Sequence, residues 1–165
     1  MTFKLIEPEI LDVCCGGKMF YFDKHDSRVV FCDKRKIKTT LCDGRMFEIN
    51  PDIQCDFTNL PFASENFSVV IFDPPHLRSN KETPTGWQQI KYGSLSNDWR
   101  DTLKKGFAEC FRVLRPYGTL IFKWNETDIK LNKILELSDQ KPVLGHKSGK
   151  QNKTHWVLFV KGGAQ

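Results

Sequence analysis

The chain has 165 residues, a net charge of +5 and an ordinary share of apolar residues, which excludes a fibrous or low-complexity protein. A chain of this length is expected to form one domain, residues 1–165, with a core large enough to fold alone. No apolar run approaches the roughly 18 residues that span a bilayer, and no signal-peptide pattern opens the chain, so we expect a cytoplasmic protein with no membrane partner.

Short apolar runs that end in glycine or an acid predict five strands of a buried parallel sheet. In chain order they are EILDVCC, RVVFCD, DIQCDF, NFSVVIFD and TLIFKW. Two further runs, KPVLGHK and THWVLFV, predict a closing antiparallel hairpin across SGKQN. Helical spacing predicts helices at about 98–114, ended by RPYG, and at about 128–138, with Thr127 as N-cap. Strands that alternate with helices indicate an α/β domain on a mostly parallel sheet.

The connections between these elements differ in character. The one from Gly17 to Arg28 has room for only a brief helix, and the one from Lys34 to Asn50 shows no clear period. The stretch 77–98 is long, polar and rich in turn-forming residues. Loops of that length in compact domains are often functional, so we interpret it as a substrate loop, with a disordered surface loop as the alternative.

Glycines and an acid follow the first two predicted strands. The first strand leads into CCGG, where Gly16 and Gly17 allow the backbone to approach a ligand closely. Asp33 ends the second strand, at a position suited to accept hydrogen bonds from ribose hydroxyls. The G-x-G-x-x-G fingerprint of dinucleotide sites is absent, which favours a ligand without a pyrophosphate. A tight turn without a ligand is the alternative for the glycines.

Two more acids end the next strands. Asp56 ends the third strand and is placed to accept from an adenine amino group, with Phe57 as apolar cover; a solvated aspartate in a loop is the alternative. Asp73 ends the fourth strand. The carboxyl ends of parallel strands meet at one edge of an open α/β sheet, where ligands bind. The pattern therefore predicts a ligand site at that edge.

Asp73 opens the sequence DPPH, directly after the apolar run VVIF. Each proline removes a backbone N–H, and the residue before a proline is restricted to extended conformations. Asp73 is therefore held extended, and Pro74 and Pro75 present carbonyls without competing donors. This arrangement suits a ligand group that donates hydrogen bonds.

Together these motifs resemble those of class I S-adenosylmethionine-dependent methyltransferases over nearly the whole chain. LDVCCGG resembles the first motif of that family, CDFTNLPF its adenine-contacting motif, and ECFRVLRPYGTLIFKW its helix, turn and fifth strand. The resemblance implies a Rossmann-like fold, S-adenosyl-L-methionine as cofactor and no metal. CCGG departs from the usual G-x-G, and its cysteine side chains would narrow the methionine pocket. The cofactor-binding residues implied are Asp12, Cys14, Cys15, Gly16, Gly17, Asp33, Asp56 and Phe57.

DPPH resembles the [DN]-P-P-[YFW] motif of amino-methyltransferases, which modify exocyclic or amide nitrogens. The resemblance implies that Asp73 and the Pro74 carbonyl accept the two N–H bonds of an amino group, foremost N6 of adenine. It makes Asp73, Pro74, Pro75 and His76 the catalytic residues. His76 replaces the usual flat ring, and it would stack on the base, take a proton, or cap the loop without touching substrate. DPPH with the ending KTHW is also similar to short proteins encoded by phages and prophages.

The expected partner is nucleic acid, DNA first and RNA a close second, bound by a monomer or a homodimer. The chain has no separate target-recognition domain, so two segments must supply the contacts. Residues 145–155 form a basic hairpin that would follow a phosphate backbone or only aid solubility. The candidate nucleic-acid-binding residues are Trp87, Lys91 and Tyr92 in the substrate loop, and Lys147, Lys150 and Lys153 in the hairpin.

Two other functions fit the same motifs. Methyl transfer to a protein amide or a small molecule would not need the lysines of the hairpin. A catalytically silent module that only binds the cofactor is suggested by His76. Other chemistries fit less well, because the chain has no G-x-S-x-G elbow, no P-loop and no Pro-Cys pair. Its six cysteines form no C-x-x-C pair, so we expect reduced thiols rather than a zinc site.

Overall fold

The computed structural model describes residues 8–79 and 86–163. The strands are β1 (Ile10–Asp12), β2 (Val29–Asp33), β3 (Ile37–Thr40), β4 (Met46–Ile49), β5 (Ile53–Gln54), β6 (Phe67–Phe72), β7 (Leu114–Asn125), β8 (Leu144–Ser148) and β9 (Thr154–Val160). The helices are α1 (Trp87–Tyr92), α2 (Trp99–Val113) and α3 (Leu131–Leu135). None of the helices in the described ranges is long and apolar enough to cross a membrane.

Seven strands form one sheet in the order β5-β2-β1-β6-β7-β9-β8. All of them are parallel except β9, which is antiparallel to both of its neighbours. The predicted α/β fold with a mostly parallel sheet and a C-terminal antiparallel hairpin is thereby confirmed. The chain runs outward from β1 to one edge and then from β6 to the other. Such a reversal opens a crevice at the carboxyl ends of the two central strands.

Helix α2 covers one face of the sheet and confirms the helix predicted at 98–114. Its apolar residues at helical spacing, among them Leu103, Phe107 and Val113, are buried because they face the central strands. The ring of Phe107 lies 4.9 Å from that of Phe122 on β7 and 5.4 Å from that of Phe72 on β6, measured between centroids. This aromatic core anchors the ends of β6 and β7, where the candidate site begins.

Two connections differ from the expectation. No helix forms between β1 and β2, where turns connect the strands, and the segment after β2 forms an antiparallel hairpin of β3 and β4. Phe47 and Ile49 on β4 are buried while their neighbours are exposed, an alternation typical of a half-buried strand. That pattern spans only four residues, too few to give a clear period in the sequence.

The predicted start of the second helix is wrong. Helix α3 begins at Leu131 with Lys130 as its N-cap residue, because the side chain of Asn125 engages both the backbone N–H and the hydroxyl of Thr127. The turn predicted at RPYG is also absent, since β7 begins at Leu114 directly after α2. Tyr117 takes a positive φ of 62° there, so the chain bends within the strand rather than in a separate turn.

The substrate loop predicted at 77–98 contains a short helix. Helix α1 occupies its second half, and residues 80–85 lie outside the described ranges. The closing hairpin is confirmed, with Ser148 paired to Thr154 at its tip. Thr154 also pairs with Asn125, the last residue of β7, so the hairpin tip lies at the carboxyl edge of the sheet.

Candidate active site

Two adjoining cavities open at the carboxyl edge of the sheet, of about 900 and about 210 Å³. The larger one is within the usual size range of small-molecule sites, about 300–1,000 Å³. Four residues from four different segments line both cavities, so the two spaces meet there. They are Cys14, Arg35, Asp73 and Tyr92.

The turn after β1 forms one wall of the smaller cavity. Gly16 has a φ of +51°, which side-chain-bearing residues rarely adopt, and an added Cβ would meet no atom within 4 Å. At Gly17 a Cβ would lie 3.0 Å from the ring of Phe47 on β4, so that glycine allows the β3–β4 hairpin to approach. Cys14 lines both cavities and Cys15 lines the smaller one. Burial raises the pKa of both thiols, which therefore stay protonated.

Asp33, at the end of β2, is buried and holds the turn in place. Its Oδ2 accepts from the N–H of Gly16 at 2.9 Å, and its Oδ1 accepts from the backbone N–H of Arg35 at 2.8 Å and from Nε at 3.1 Å. Nη1 of Arg35 donates to the carbonyl of Ile90 on α1 at 3.1 Å. Arg35 thus connects the acid of β2 to the helix that forms the opposite wall.

Asp12 differs from the other acids because it lies beneath the turn and lines neither cavity. It accepts from the hydroxyl of Tyr21 at 2.8 Å and from the N–H of Cys14 at 3.1 Å. Burial raises the pKa of Asp12 to about 7, although both hydrogen bonds favour its ionised form. The structure therefore places Asp12 as a support for the turn.

Asp56 and Phe57 line the larger cavity, as expected for an adenine site. Asp56 accepts from the backbone N–H and the hydroxyl of Thr58 and forms an ion pair with Lys34 at 2.9 Å. Partial burial opposes ionisation, but these contacts outweigh it and lower the pKa of Asp56. The ring of Phe57 rests against that of Phe72 with centroids 5.2 Å apart, which fixes it beneath the cavity.

Asp73 lies where the two cavities meet, and Lys123 on β7 is its ion-pair partner. Nζ of Lys123 is 2.5 Å from Oδ2 of Asp73. Phe72 pairs with Phe122 in the sheet, so Asp73 and Lys123 are the next residues along two neighbouring strands. Burial raises the pKa of Asp73, and the lysine opposes that rise. The acid therefore depends on Lys123 to stay ionised.

His76 follows the two prolines and lines the smaller cavity. Its ring is 5.6 Å from that of Tyr92 and 6.5 Å from that of Trp124, measured between centroids. Burial lowers the pKa of His76 despite the nearby carboxylate of Asp73, so the ring is neutral at pH 7. A neutral planar ring beside a tyrosine provides a surface on which a flat ligand can stack.

Helix α1 brings two of the three loop residues to the cavity. Lys91 and Tyr92 line the smaller cavity, whereas Trp87 lies at the start of the helix and is 47% exposed. Lys91 Nζ lies 5.2 Å from the ring centroid of Tyr92, within reach of a cation–π contact. The structure therefore joins Lys91 and Tyr92 to Asp73 and His76, and leaves Trp87 at the rim.

The hairpin lysines lie on the same edge of the sheet but further away. Strand β8 is separated from β6 by β7 and β9, which amounts to roughly 14 Å at the usual strand spacing. Lys147 is 3.8 Å from a carboxylate oxygen of Glu126, while Lys150 and Lys153 form no ion pair within the described residues. These lysines can therefore contact only parts of a substrate remote from Asp73.

Sequence reasoning missed three residues that line the site: Phe20, Arg35 and Lys123. Lys123 had a signal, because it is the only charged residue in the otherwise apolar strand TLIFKW. Phe20 and Arg35 lie in connections without a recognisable pattern, so nothing in their neighbourhood pointed to the cavity. No three His, Cys, Asp or Glu side chains among the residues that the structure describes could hold a metal ion together.

No protein-family model and no curated protein matches the sequence. Solved structures do match the fold. A SAM-dependent methyltransferase from Methanosarcina mazei superposes with a TM-score of 0.59 at 10% identity, over 98% of this chain and 96% of that one. The chain has the fold of the class I methyltransferases. A protein from Pyrococcus horikoshii OT3 matches with a TM-score of 0.58 at 15% identity, over 92% and 81% of the two chains.

A third match carries ligands. The 1,6-didemethyltoxoflavin-N1-methyltransferase from Burkholderia thailandensis was solved with 1,6-didemethyltoxoflavin and S-adenosylhomocysteine bound. Its TM-score is 0.55 at 13% identity, over 93% of this chain and 70% of that chain. At such low identity the likeness concerns the fold alone, and the activity must be argued from the site.

Proposed function

We propose that the protein is an S-adenosyl-L-methionine-dependent N-methyltransferase. The observation that carries this proposal is the position of Asp73, on the Asp-Pro-Pro-His segment, where the two cavities meet. The cofactor suits the residues present. Asp33, Asp56 and Phe57 line a cavity large enough for its adenosine part, and the open backbone at Gly16 leaves room for its methionine part.

Bound S-adenosyl-L-methionine would supply an electrophilic methyl group, because its positively charged sulfur leaves as a neutral thioether. The protein must then orient a poor nucleophile, since the lone pair of an aromatic amine is delocalised into the ring. Asp73 and the carbonyl of Pro74 accept the two N–H bonds, which favours a pyramidal nitrogen with its lone pair free to attack. The nitrogen gains a positive charge as it takes the methyl group and then releases one proton to water. Positioning supplies most of the rate in this scheme.

The substrate we infer is an exocyclic amino group, first N6 of adenine in DNA and next in RNA. His76 and Tyr92 give a planar surface beside Asp73, and base stacking on such rings contributes about 1–3 kcal/mol. Lys91 at the same cavity and Trp87 at its rim would contact the neighbouring nucleotides. A target inside a duplex must first be flipped out, which costs a few kcal/mol.

A second candidate is methyl transfer to a nitrogen of a small molecule. It is favoured by the size of the smaller cavity and by the fold match to an enzyme that was solved with a small heterocycle bound. This candidate needs neither the hairpin lysines nor Trp87. Substrate assays that include both polymers and small molecules therefore separate the two.

The decisive experiment offers labelled S-adenosyl-L-methionine together with single-stranded DNA, duplex DNA, total RNA, bulk protein or a small-molecule extract. Wild type is compared with Asp73→Ala and with Asp101→Ala, an exposed carboxylate of α2 that serves as the control. We expect N6-methyladenine in one polymer, lost in Asp73→Ala and kept in the control. Label in no nucleic acid would favour the second candidate or a silent cofactor-binding module. Unchanged turnover in Asp73→Ala would exclude the role given to that residue.

A further inference from the structure

The ion pair between Lys123 and Asp73 is the shortest charged contact at the candidate site, with 2.5 Å between Nζ and Oδ2. Both side chains are about three-quarters covered, since 26% of Lys123 and 22% of Asp73 is exposed. An ion pair so covered is little screened by water. The contact therefore constrains Asp73 more strongly than a surface ion pair would.

The position of Lys123 is fixed from several sides. Its ammonium group lies 5.4 Å from the ring centroid of Phe20 and 5.7 Å from that of Trp156, at distances typical of cation–π contacts. Strand pairing places Lys123 beside Trp156 on one side and its strand beside β6 on the other. Lys123 cannot move away from Asp73 without leaving both rings.

The ion pair occupies only one of the two carboxylate oxygens. Among the described residues, no hydrogen bond reaches Oδ1 of Asp73 or the carbonyl of Pro74. Pro74 and Pro75 have no N–H with which to occupy them. Two acceptors on adjacent residues thus stay open at the junction of the cavities, which is the number that a primary amino group requires.

We propose that Lys123 is a positioning residue for Asp73. By holding Oδ2 it orients Oδ1 toward the acceptor amine and keeps the carboxylate an acceptor of hydrogen bonds rather than a donor. The inference rests on the proposed N-methyltransferase function. In the step it serves, the nitrogen lone pair forms the N–C bond, the C–S electron pair returns to sulfur, and the extra proton on nitrogen goes to water.

The electrostatic setting supports this role. Burial raises the pKa of Asp73, and a protonated Asp73 would present an O–H where the amine needs an acceptor. Several other titratable or charged groups face Asp73, so its titration must be followed at the residue itself. They are His76 in its own segment, Asp12 and Cys14 around β1, Asp33 on β2, and Arg35 and Lys91 in the facing walls.

The test compares Lys123→Met and Lys123→Arg with wild type and with Lys105→Met, which breaks an exposed ion pair with Asp101 on α2. The first measurement follows the ¹³C signal of the Asp73 carboxyl through a pH titration of the protein alone. The second records kcat and KM for methyl transfer against pH. The third measures the affinity for S-adenosylhomocysteine, which Lys123 should not change because the ion pair is directed at the acceptor.

We expect the Asp73 titration to move up by about one pH unit or more in Lys123→Met, to return toward wild type in Lys123→Arg, and not to move in Lys105→Met. The acid limb of kcat should move in parallel, with kcat at pH 6 reduced about tenfold or more and product affinity changed less than about threefold.

An Asp73 titration that is the same in wild type and Lys123→Met would overturn the inference, whether or not methyl transfer is detected. A loss of kcat without a shift of its acid limb would also overturn it, because it indicates a merely structural role. If the wild-type protein transfers methyl to no acceptor, the proposed function fails and the catalytic part of the inference fails with it. The titration then still decides whether Lys123 controls Asp73.

Discussion

The guanidinium of Arg35 lies against the carboxylate of Asp33, with Nε 3.1 Å from Oδ1, and the same side chain reaches the carbonyl of Ile90 on α1. With the N–H of Gly16 on Oδ2, both oxygens of Asp33 already have donors. Ribose hydroxyls that bind this acid must therefore compete with the guanidinium. Arg35 also joins the cofactor wall to the helix that bears Tyr92, so the two halves of the site are linked through one side chain.

Replacing Arg35 by methionine should strengthen the binding of S-adenosylhomocysteine by about three- to tenfold, since the competing donor is removed. Amide exchange in α1 should become faster, because the bond to Ile90 is lost. Calorimetry and hydrogen exchange measure the two effects. Arg45→Met is the matched control, since Arg45 contacts Asp43 in the same i, i+2 arrangement on an exposed turn. Weaker binding in Arg35→Met would mean that Arg35 contacts the cofactor directly.

Asp12 predicts an unusual dependence of stability on pH. Its pKa is about 7 in the folded protein and 3.8 ordinarily, so the folded state holds a proton that the unfolded chain releases. The stability that this proton contributes is present below the unfolded value and is lost as pH rises through about 7. Between pH 5 and pH 8 the loss should be about 2–3 kcal/mol.

Urea unfolding at several pH values tests this expectation. Asp73 acts in the same direction, so the informative quantity is the difference between wild type and Asp12→Asn, which should decline much less. Tyr21→Phe should steepen the decline, because the hydroxyl of Tyr21 favours the ionised form of Asp12. Parallel profiles for wild type and Asp12→Asn would show that Asp12 ionises normally.

Gly106 connects the packing of α2 to the cofactor cavity. A Cβ at this position would lie 2.7 Å from the ring of Phe72 and 2.8 Å from that of Phe57. Alanine gains up to about 1 kcal/mol in helix propensity, but overpacking costs about 1–3 kcal/mol, so Gly106→Ala should lower the free energy of unfolding. Because Phe57 must shift, the affinity for S-adenosylhomocysteine should fall as well. Gly162→Ala, where a Cβ meets nothing within 4 Å, is the control.

The basic hairpin predicts a measurable salt effect if nucleic acid is the substrate. Each phosphate contact that Lys150 or Lys153 makes should contribute about one to the slope of log affinity against log salt. The double change of both lysines to serine should therefore flatten the slope by up to about two. The control is the same change at Lys104 and Lys105, two exposed lysines of α2. Fluorescence anisotropy with an oligonucleotide measures the slope, and equal slopes in both variants would exclude the hairpin from the interface.

The sheet and the helix predicted at 98–114 followed from local patterns. Buried parallel strands are continuous apolar runs, and a helix that covers them repeats its apolar residues every three or four positions, so both are visible in short windows. The same runs located the acids that end them, Asp33 and Asp73 among these. The β3–β4 hairpin and α1 were missed because each is held by contacts to distant segments, such as Phe47 against Gly17.

The candidate site divides along the same line. Which residues stand at strand ends is a local property, so the sequence sufficed to name Asp33, Asp56 and Asp73. Which groups meet them depends on strand register and on connections that cross the sheet. The pairing of Phe72 with Phe122 brings Lys123 to Asp73, fifty positions away in the chain, and a single Arg35 side chain joins β2 to α1. No local pattern encodes such pairings, because they arise only when the whole sheet closes around its core.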